Sequence, residues 1–173
     1  MAVNPKVGVG DFTFSMHRKE IIFKLGNPDL ILINERVYPG VIIDEYRKHG
    51  LSFFYDFRVD LQPFCIETAK RSKATLLGDS YFDKTFEYLK TDFFEKNDLT
   101  CVFFWNNHIR VEELSVEFDY YGLNLDDNTK VRALRVFREG TENLLWERSR
   151  EPSPKPLSSE ERAEKYARFY SIS

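Results

Sequence analysis

The stretch "FSMHRKEIIFKLGNPD", residues 14–29, predicts a short helix that begins after Ser15 as N-cap and stops at Gly26. A weaker echo of it, "GDSYFDKTFEYLKTD", returns at residues 78–92, about 65 positions later. Strand-like sequence follows both stretches. A helix that occurs twice in this setting indicates a chain built from two related halves.

The second predicted helix has the clearer signals. Ser80 with Asp83 fits a capping box. Apolar residues then recur along one helical face, with spacings of three and four residues. The four residues of this face are Phe82, Phe86, Leu89 and Phe93.

After each helix the pattern changes to short apolar runs that predict strands, such as "GVIIDEY" and "HGLSFFYDF" in the first half and "LTCVFFW" and "KVRALRVF" in the second. The strands match best at an offset of 72 residues, which pairs Glu45 with Glu117 and Gly50 with Gly122. Both glycines are expected in hairpin turns. The prediction is an α+β fold: an antiparallel sheet built from two αβ-meander repeats, 7–72 and 75–140, with helices on one face.

A proline-rich linker over 150–157 is expected to end the second half, because three prolines in five residues favour an extended chain. Ser158 with Glu161 then predicts a capped C-terminal helix over 158–171. We expect this helix to dock on the body or on a second copy of the chain, which would make a homodimer.

Composition and charge limit the function classes. A chain of 173 residues with 42% hydrophobic residues can bury a core. Residues 1–127 carry 15 Lys and Arg against 21 Asp and Glu, and the remainder carries 10 against 7. An acidic body does not suit a nucleic-acid binder.

The location expected from the sequence is the cytoplasm. The first residues lack a secretory signal, and no apolar run approaches the length of a membrane span. Cys65 and Cys101 lie in separate apolar runs, which favours buried reduced thiols over a disulfide or a metal site.

No catalytic motif stands out, so we predict that the chain is not an enzyme and holds no cofactor or metal. Its histidines, His17, His49 and His108, lie far apart and have no ligand partner at metal-binding spacing. Nucleophile-elbow, P-loop and dinucleotide motifs are missing. His49, with Asp44 and Glu45 nearby, is the best candidate acid or base, against the simpler interpretation of a surface histidine.

An acidic run in the second half is the most pronounced polar feature. It includes Glu112, Glu113, Glu117 and Asp119. Glu113, Glu117 and Asp119 would share one face of a regular strand, where three carboxylates need a positive partner. The run is interpreted either as a solvated sheet edge or as a docking surface for a basic protein.

Trp105 and Tyr121 are the expected aromatic neighbours of that docking surface, since a few aromatic anchors usually carry interface energy. Reversing the charge of Glu113 and Glu117 should then slow association at low salt, and truncating Trp105 should speed dissociation. In one alternative, the aromatic sheet face forms a small-molecule pocket, an enclosed apolar cavity of at least about 300 Å³. In the other, the tail helix makes the chain a self-associating scaffold.

Over residues 12–60, the segment "EIIFKLGNPD" and the strands after it resemble a known pattern of a helix, a Leu-Gly-x-Pro turn and strands. Two families have this pattern: tandem-repeat inhibitors of the beta-lactamase inhibitory protein type, and small outer-membrane assembly lipoproteins. The chain differs from both in lacking a secretory or lipoprotein signal, and from the inhibitors in lacking their paired disulfide cysteines. In size, acidity and the order "LGNPD … DEYRKHGLSFFYD" it resembles bacterial immunity-type proteins. This resemblance implies a non-catalytic cytoplasmic inhibitor that covers a cognate toxin, and a basic toxin domain is the expected partner.

Overall fold

The computed structural model shows a mixed α+β fold with mostly antiparallel sheets, as the sequence predicted. It describes residues 1–33, 38–104, 108–121, 128–151 and 160. The strands in these ranges are β1 (Ala2–Asn4), β2 (Gly8–Val9), β3 (Phe12–Thr13), β4 (Leu30–Ile33), β5 (Val41–Tyr46), β6 (Leu51–Asp56), β7 (Pro63–Ala69), β8 (Thr75–Leu76), β9 (Cys101–Phe104), β10 (His108–Val111), β11 (Val116–Tyr120) and β12 (Val131–Phe137). The helices are α1 (Arg18–Leu25), α2 (Phe86–Tyr88) and α3 (Leu144–Arg150).

Eight strands form one large sheet in the order β4-β5-β6-β7-β12-β11-β10-β9. Its neighbouring strands are all antiparallel. Strands β4 to β7 pair in chain order, and so do β9 to β12. The pairing of β7 with β12 joins the two groups. A smaller sheet, β3-β2-β1-β8, contains a parallel pair, β1 with β8.

Helix α1 begins two residues later than Ser15 would place it. His17 is the N-cap: its Nδ1 atom accepts from the Lys19 N–H at 3.2 Å, and the Glu20 carboxylate accepts from the His17 N–H at 2.6 Å. This reciprocal pair is a capping box. The Ser15 hydroxyl bonds to that of Thr13 instead. The predicted stop is confirmed, since Gly26 takes a φ of 80° and its N–H closes the last turn.

Helix α2 also begins later than predicted. Asp83 has a φ of 63°, a left-handed conformation that interrupts a helix, so the expected capping box at Ser80 does not form. Thr85 caps the helix by accepting from the Tyr88 N–H at 3.2 Å. The chain then continues as a π-helix over Leu89–Phe94. The predicted apolar face of Phe82, Phe86, Leu89 and Phe93 is nevertheless buried throughout.

The main core lies between one face of the large sheet and a layer formed by α1, α2 and the small sheet. Phe118 of β11 is fully buried there. Its ring contacts those of Tyr81, Phe93 and Phe94, with centroid separations of 5.7, 6.1 and 5.7 Å. Such edge-to-face contacts add to the free energy gained by burying apolar area.

The opposite side of the large sheet is here called the open face. Strand alternation sends Phe53 and Tyr55 into the main core and Phe54 to the open face. Helix α3 covers one end of this face, where Leu145 packs with Phe54 and the free, buried Cys65. Aromatic surface such as that of Phe54 therefore points away from the main core, and α3 covers part of it.

A β-bulge interrupts each group of four strands. In β7 the extra residue is Phe64, because Phe54 pairs with Cys65 and Tyr55 with Pro63. In β12 the extra residue is Arg132, because Asp119 pairs with Ala133 and Tyr120 with Val131. In a regular strand, successive side chains point to opposite faces; a bulge lets the extra side chain point to the same face as its neighbour. Phe64 thereby joins the apolar cluster under α3.

The strand match at an offset of 72 is wrong. It sets β5 against β11, which are the second and third strands of their groups. The helix offset of 65 aligns β6 with β11 instead, with Phe53 matching Phe118. The predicted turn at Gly50 is confirmed by its φ of 64° between paired β5 and β6, whereas Gly122 lies outside the described residues.

Apart from residue 160, the described part of the chain ends with α3 and Glu151. Arg148 of α3 pairs with Asp56, and Glu151 pairs with Arg58 at 2.8 Å. The predicted helix over 158–171 and most of the linker over 150–157 lie outside the described residues. Among those described, no helix combines the length and apolar character needed to cross a membrane.

Candidate functional site on the open sheet face

The acidic run does not form one continuous strand. Glu112 and Glu113 lie in a 3₁₀ turn between β10 and β11, and Ser115 takes a left-handed φ of 50°. Both glutamates are exposed, and Glu113 accepts from the Thr100 N–H at 3.2 Å. The expectation that Glu113 shares a strand face with Glu117 is therefore wrong, because the turn breaks the alternation.

Glu117 and Asp119 do share a face, the open face of β11, but both are buried. Glu117 accepts from the Arg110 guanidinium, with an Nε to Oε1 distance of 2.9 Å. Asp119 pairs with Arg132. The positive partners that the sequence argument required thus belong to the same chain, which neither the solvated-edge nor the docking interpretation anticipated.

The two predicted aromatic anchors have different outcomes. Tyr121 follows β11 and is 61% exposed. Trp105 lies outside the described residues.

Because Glu117 is buried, reversing its charge would disturb the fold as well as any encounter with a partner. Glu112 and Glu113 are the accessible part of the predicted acidic surface.

A row of polar residues crosses the open face, and we call it the charged ladder. Each member pairs directly with the next on the neighbouring strand, from β5 through β6, β7, β12 and β11 to β10. The row reads Glu45, Ser52, Glu67, Arg135, Glu117, Arg110. From Glu67 onward the charges alternate in sign, the favourable arrangement for side chains opposite each other.

Arg135 is the centre of the charged ladder. Its Nε atom donates to Glu67 at 2.9 Å, and its terminal nitrogens lie 3.9 Å from Glu117 and 3.8 Å from Asp119. At the β10 end, Arg110 also donates to the Asn143 side chain at 2.6 Å and to the Glu142 carbonyl at 2.7 Å. Burial raises the pKa of Glu117, while Arg110 and Arg135 oppose that rise. These contacts fix the positions of the charged groups.

His108 lies beside the ladder on β10. Its Nε2 atom is 3.9 Å from Asp119, and its Nδ1 atom is 3.4 Å from the Arg135 guanidinium. Burial, together with the charge of Arg135, lowers the pKa of His108 to about 4, although Asp119 acts in the opposite direction. A histidine next to a carboxylate is the arrangement that would point to catalysis if it lined a deep pocket. Neither residue lines either of the two depressions described below.

We expect the stability of the protein to fall between pH 7 and pH 4.5 because of His108. The unfolded chain protonates this residue near pH 6.5, whereas the folded protein does so only near pH 4. The difference in pKa corresponds to a loss of about 2–3 kcal/mol in unfolding free energy. Urea unfolding of the wild type and His108→Gln at both pH values checks this. A pH dependence that is equal in the two proteins would contradict it.

A groove of about 390 Å³ lies over strands β5, β6, β7 and β12. Its floor includes the small residues Ser52, Ala69 and Ala133, and one wall is apolar, with Tyr38 and Leu145. The remaining lining residues are Ile43, Glu45, Phe54, Glu67, Arg132 and Arg135. The aromatic pocket of the alternative hypothesis was expected to be enclosed and apolar. The groove differs from it because charged residues contribute much of its lining.

A smaller cleft of about 230 Å³ lies at the β10 end, between Arg110 and Glu112 on one side and Glu142 and Asn143 on the other. It places the exposed Glu112 next to the end of the charged ladder. Within the described ranges, no three His, Cys, Asp or Glu side chains converge as metal ligands would. His17 caps α1, and His49 lies in the turn between β5 and β6.

The arginines of the site are not among the residues predicted from the sequence. Arg110, Arg132 and Arg135 interrupt strands that are otherwise apolar, which was a usable signal, because a charged residue in such a strand requires a buried partner. Their common location depends on the pairing of β7 with β12, strands more than 60 residues apart. No local pattern encodes that pairing.

No protein-family model, no curated protein and no solved structure matches the chain.

Proposed function

We propose that the chain is a non-catalytic cytoplasmic protein that binds a protein partner on the open face of its large sheet, in the manner of an immunity-type inhibitor. The observation that carries this proposal is the groove of about 390 Å³ beside a charged ladder whose groups bond to one another. Side chains held in this way lose little further entropy when a partner docks, which favours binding.

The state of the titratable groups supports binding over catalysis. Glu67, Glu117 and Asp119 each bond to an arginine. A general base must reach the proton it removes, whereas His108 is buried and neutral at physiological pH. The groups that reach the groove surface can instead provide charge and shape complementarity.

We further propose that the two halves are copies of one helix-plus-meander unit. Three features support this: the helix offset of 65 also aligns β6 with β11, both groups pair their strands in chain order, and each group has its bulge at the same place. The bulge follows Phe54 in one half and Asp119 in the other, residues that are 65 positions apart. The copies then differ in function, because one bulge directs Phe64 to a packed cluster and the other directs Arg132 to the groove.

A small-molecule carrier is the second candidate function, because the volume of the groove falls in the range of ligand sites.

A basic toxin domain remains the expected partner for the first candidate function, the immunity-type inhibitor. It would meet Glu112 and Glu113, which are exposed at one end of the open face.

Photo-crosslinking in the native host tests the proposed face. A photoreactive residue would replace Ala69, which is exposed in the groove, or Phe23, which is 92% exposed on α1 behind the sheet. We expect a protein adduct from position 69 and none from position 23. An adduct from position 23 alone would place the binding face on the helix layer, and the lack of any protein adduct at position 69 would contradict the proposal.

A further inference from the structure

The two ends of the groove carry accessible charges of opposite sign. At the β5 end, the Glu45 carboxylate is 26% exposed, and among the described residues its one ion-pair partner is Arg47, a surface residue that is itself 64% exposed. At the β12 end, Arg132 is 49% exposed, while its partner Asp119 is fully buried. Surface pairs such as Glu45 with Arg47 are weak, so they leave the carboxylate able to bind another cation.

The middle of the groove has little net charge. Glu67 and Arg135 bond to each other at 2.9 Å between the two ends. The floor of the groove is formed by small side chains, those of Ser52, Ala69 and Ala133. Apolar surface lies beside it, on Tyr38, Phe54 and Leu145. A ligand that fits this arrangement is apolar in the middle and oppositely charged at its ends.

The spacing of the strands sets the length of that ligand. Strands β5 and β12 are three steps apart in the sheet, about 14 Å, and Arg132 lies three residues along β12 from the row that holds Glu45, so the backbone positions of the two ends are about 17 Å apart. Four steps of an extended peptide, at about 3.4 Å each, cover about 14 Å, and the long side chains at its two ends span the remainder. On the basis of the proposed function, we infer that the groove binds an extended segment of the partner with a basic residue, an apolar residue two positions later and an acidic residue four positions later. The basic side chain meets Glu45 and the acidic side chain meets Arg132.

Three capped pentapeptides test this inference on the full chain: Lys-Gly-Leu-Gly-Glu, Lys-Gly-Leu-Gly-Lys and Glu-Gly-Leu-Gly-Glu. Affinities would be measured by NMR titration, with the backbone signals of residues 52 and 69 as reporters of the groove. We expect the mixed-charge peptide to bind about fivefold more tightly than either like-charged peptide, because each of those places one charge against an end of the same sign.

Reversing the charge of Glu45 tests directly whether this residue selects the charge of the peptide. Glu45→Lys makes both ends of the groove positive, so the preference should move to Glu-Gly-Leu-Gly-Glu by about fivefold. Glu95→Lys is the matched control, since Glu95 is exposed after the π-helix on the other side of the sheet, and it should leave the order of affinities unchanged. Glu45→Gln, which keeps the shape of the side chain, should reduce the advantage of the mixed-charge peptide without reversing it.

Equal affinities for the three peptides, or an unchanged order in Glu45→Lys, would overturn the inference. The crosslinking experiment separates this failure from failure of the proposed function. If position 69 captures a protein while the peptides do not discriminate, the open face binds a partner by other chemistry. If position 69 captures no protein either, both proposals are wrong.

Discussion

Replacing Asp44 by asparagine is expected to lower the free energy of unfolding by about 3–5 kcal/mol. The Asp44 carboxylate accepts two bonds from the Arg18 guanidinium, at 2.6 and 3.0 Å, and both side chains are buried beneath the start of α1. The substitution keeps the shape of the side chain but removes the charge that balances a buried cation. Urea unfolding at neutral pH measures the effect.

Two further variants identify the cause. Glu45→Ala removes the neighbouring surface carboxylate and should cost less than about 1 kcal/mol, because its pair with Arg47 is exposed. Arg18→Met combined with Asp44→Leu removes both buried charges and should recover most of the stability. A loss below 1 kcal/mol in Asp44→Asn would show that the ion pair is not a main support of the first half.

Replacing Arg135 by methionine is expected to cause a loss of similar size, about 3–5 kcal/mol. The Arg135 guanidinium lies within ion-pair distance of Glu67, Glu117 and Asp119. The substitution would leave each of these carboxylates with less positive charge to balance it. Methionine preserves most of the apolar length of the side chain, so the loss reports mainly on charge. Chemical denaturation, followed by circular dichroism, provides the measurement.

Arg138→Met is the matched control for Arg135. Within the described ranges the Arg138 guanidinium pairs with Asp60 alone, at 3.6 Å near the surface, so its loss should cost less than about 1 kcal/mol. The Arg135 variant should also raise the pKa of His108 above about 4. Burial is the main cause of the low value, but the charge of Arg135 is the next. NMR titration of the His108 ring would show this rise, and an unchanged pKa would mean that the two side chains do not interact.

The buried Asp44 shows which contacts cannot be predicted from neighbouring residues in the sequence. The sequence predicts the turn at Gly50 correctly, and it places Asp44 near His49 in a candidate acid-base group. The structure instead turns Asp44 into the core, where it faces Arg18 from α1. Its position in β5 follows from the strand pattern, but the identity of its partner depends on where α1 packs across the sheet.

The sequence by itself determined the mixed α+β class of the fold, the end of α1 at Gly26 and the buried apolar face of Phe82, Phe86, Leu89 and Phe93. These features depend on residues within a few positions of one another, through side-chain periodicity, capping and the backbone freedom of glycine. The starts of both helices were misplaced because several residues near each start could serve as the cap.

Only the tertiary structure decided the character of the open face. The joining of β7 to β12 brings Glu67 against Arg135, and the bulge at Arg132 brings a cation over Asp119. An acidic run in the sequence thereby becomes a row of paired charges beside a groove. The physical reason is that a buried carboxylate is stable only beside a positive charge. The pairing of strands that are distant in sequence decides which arginine provides that charge.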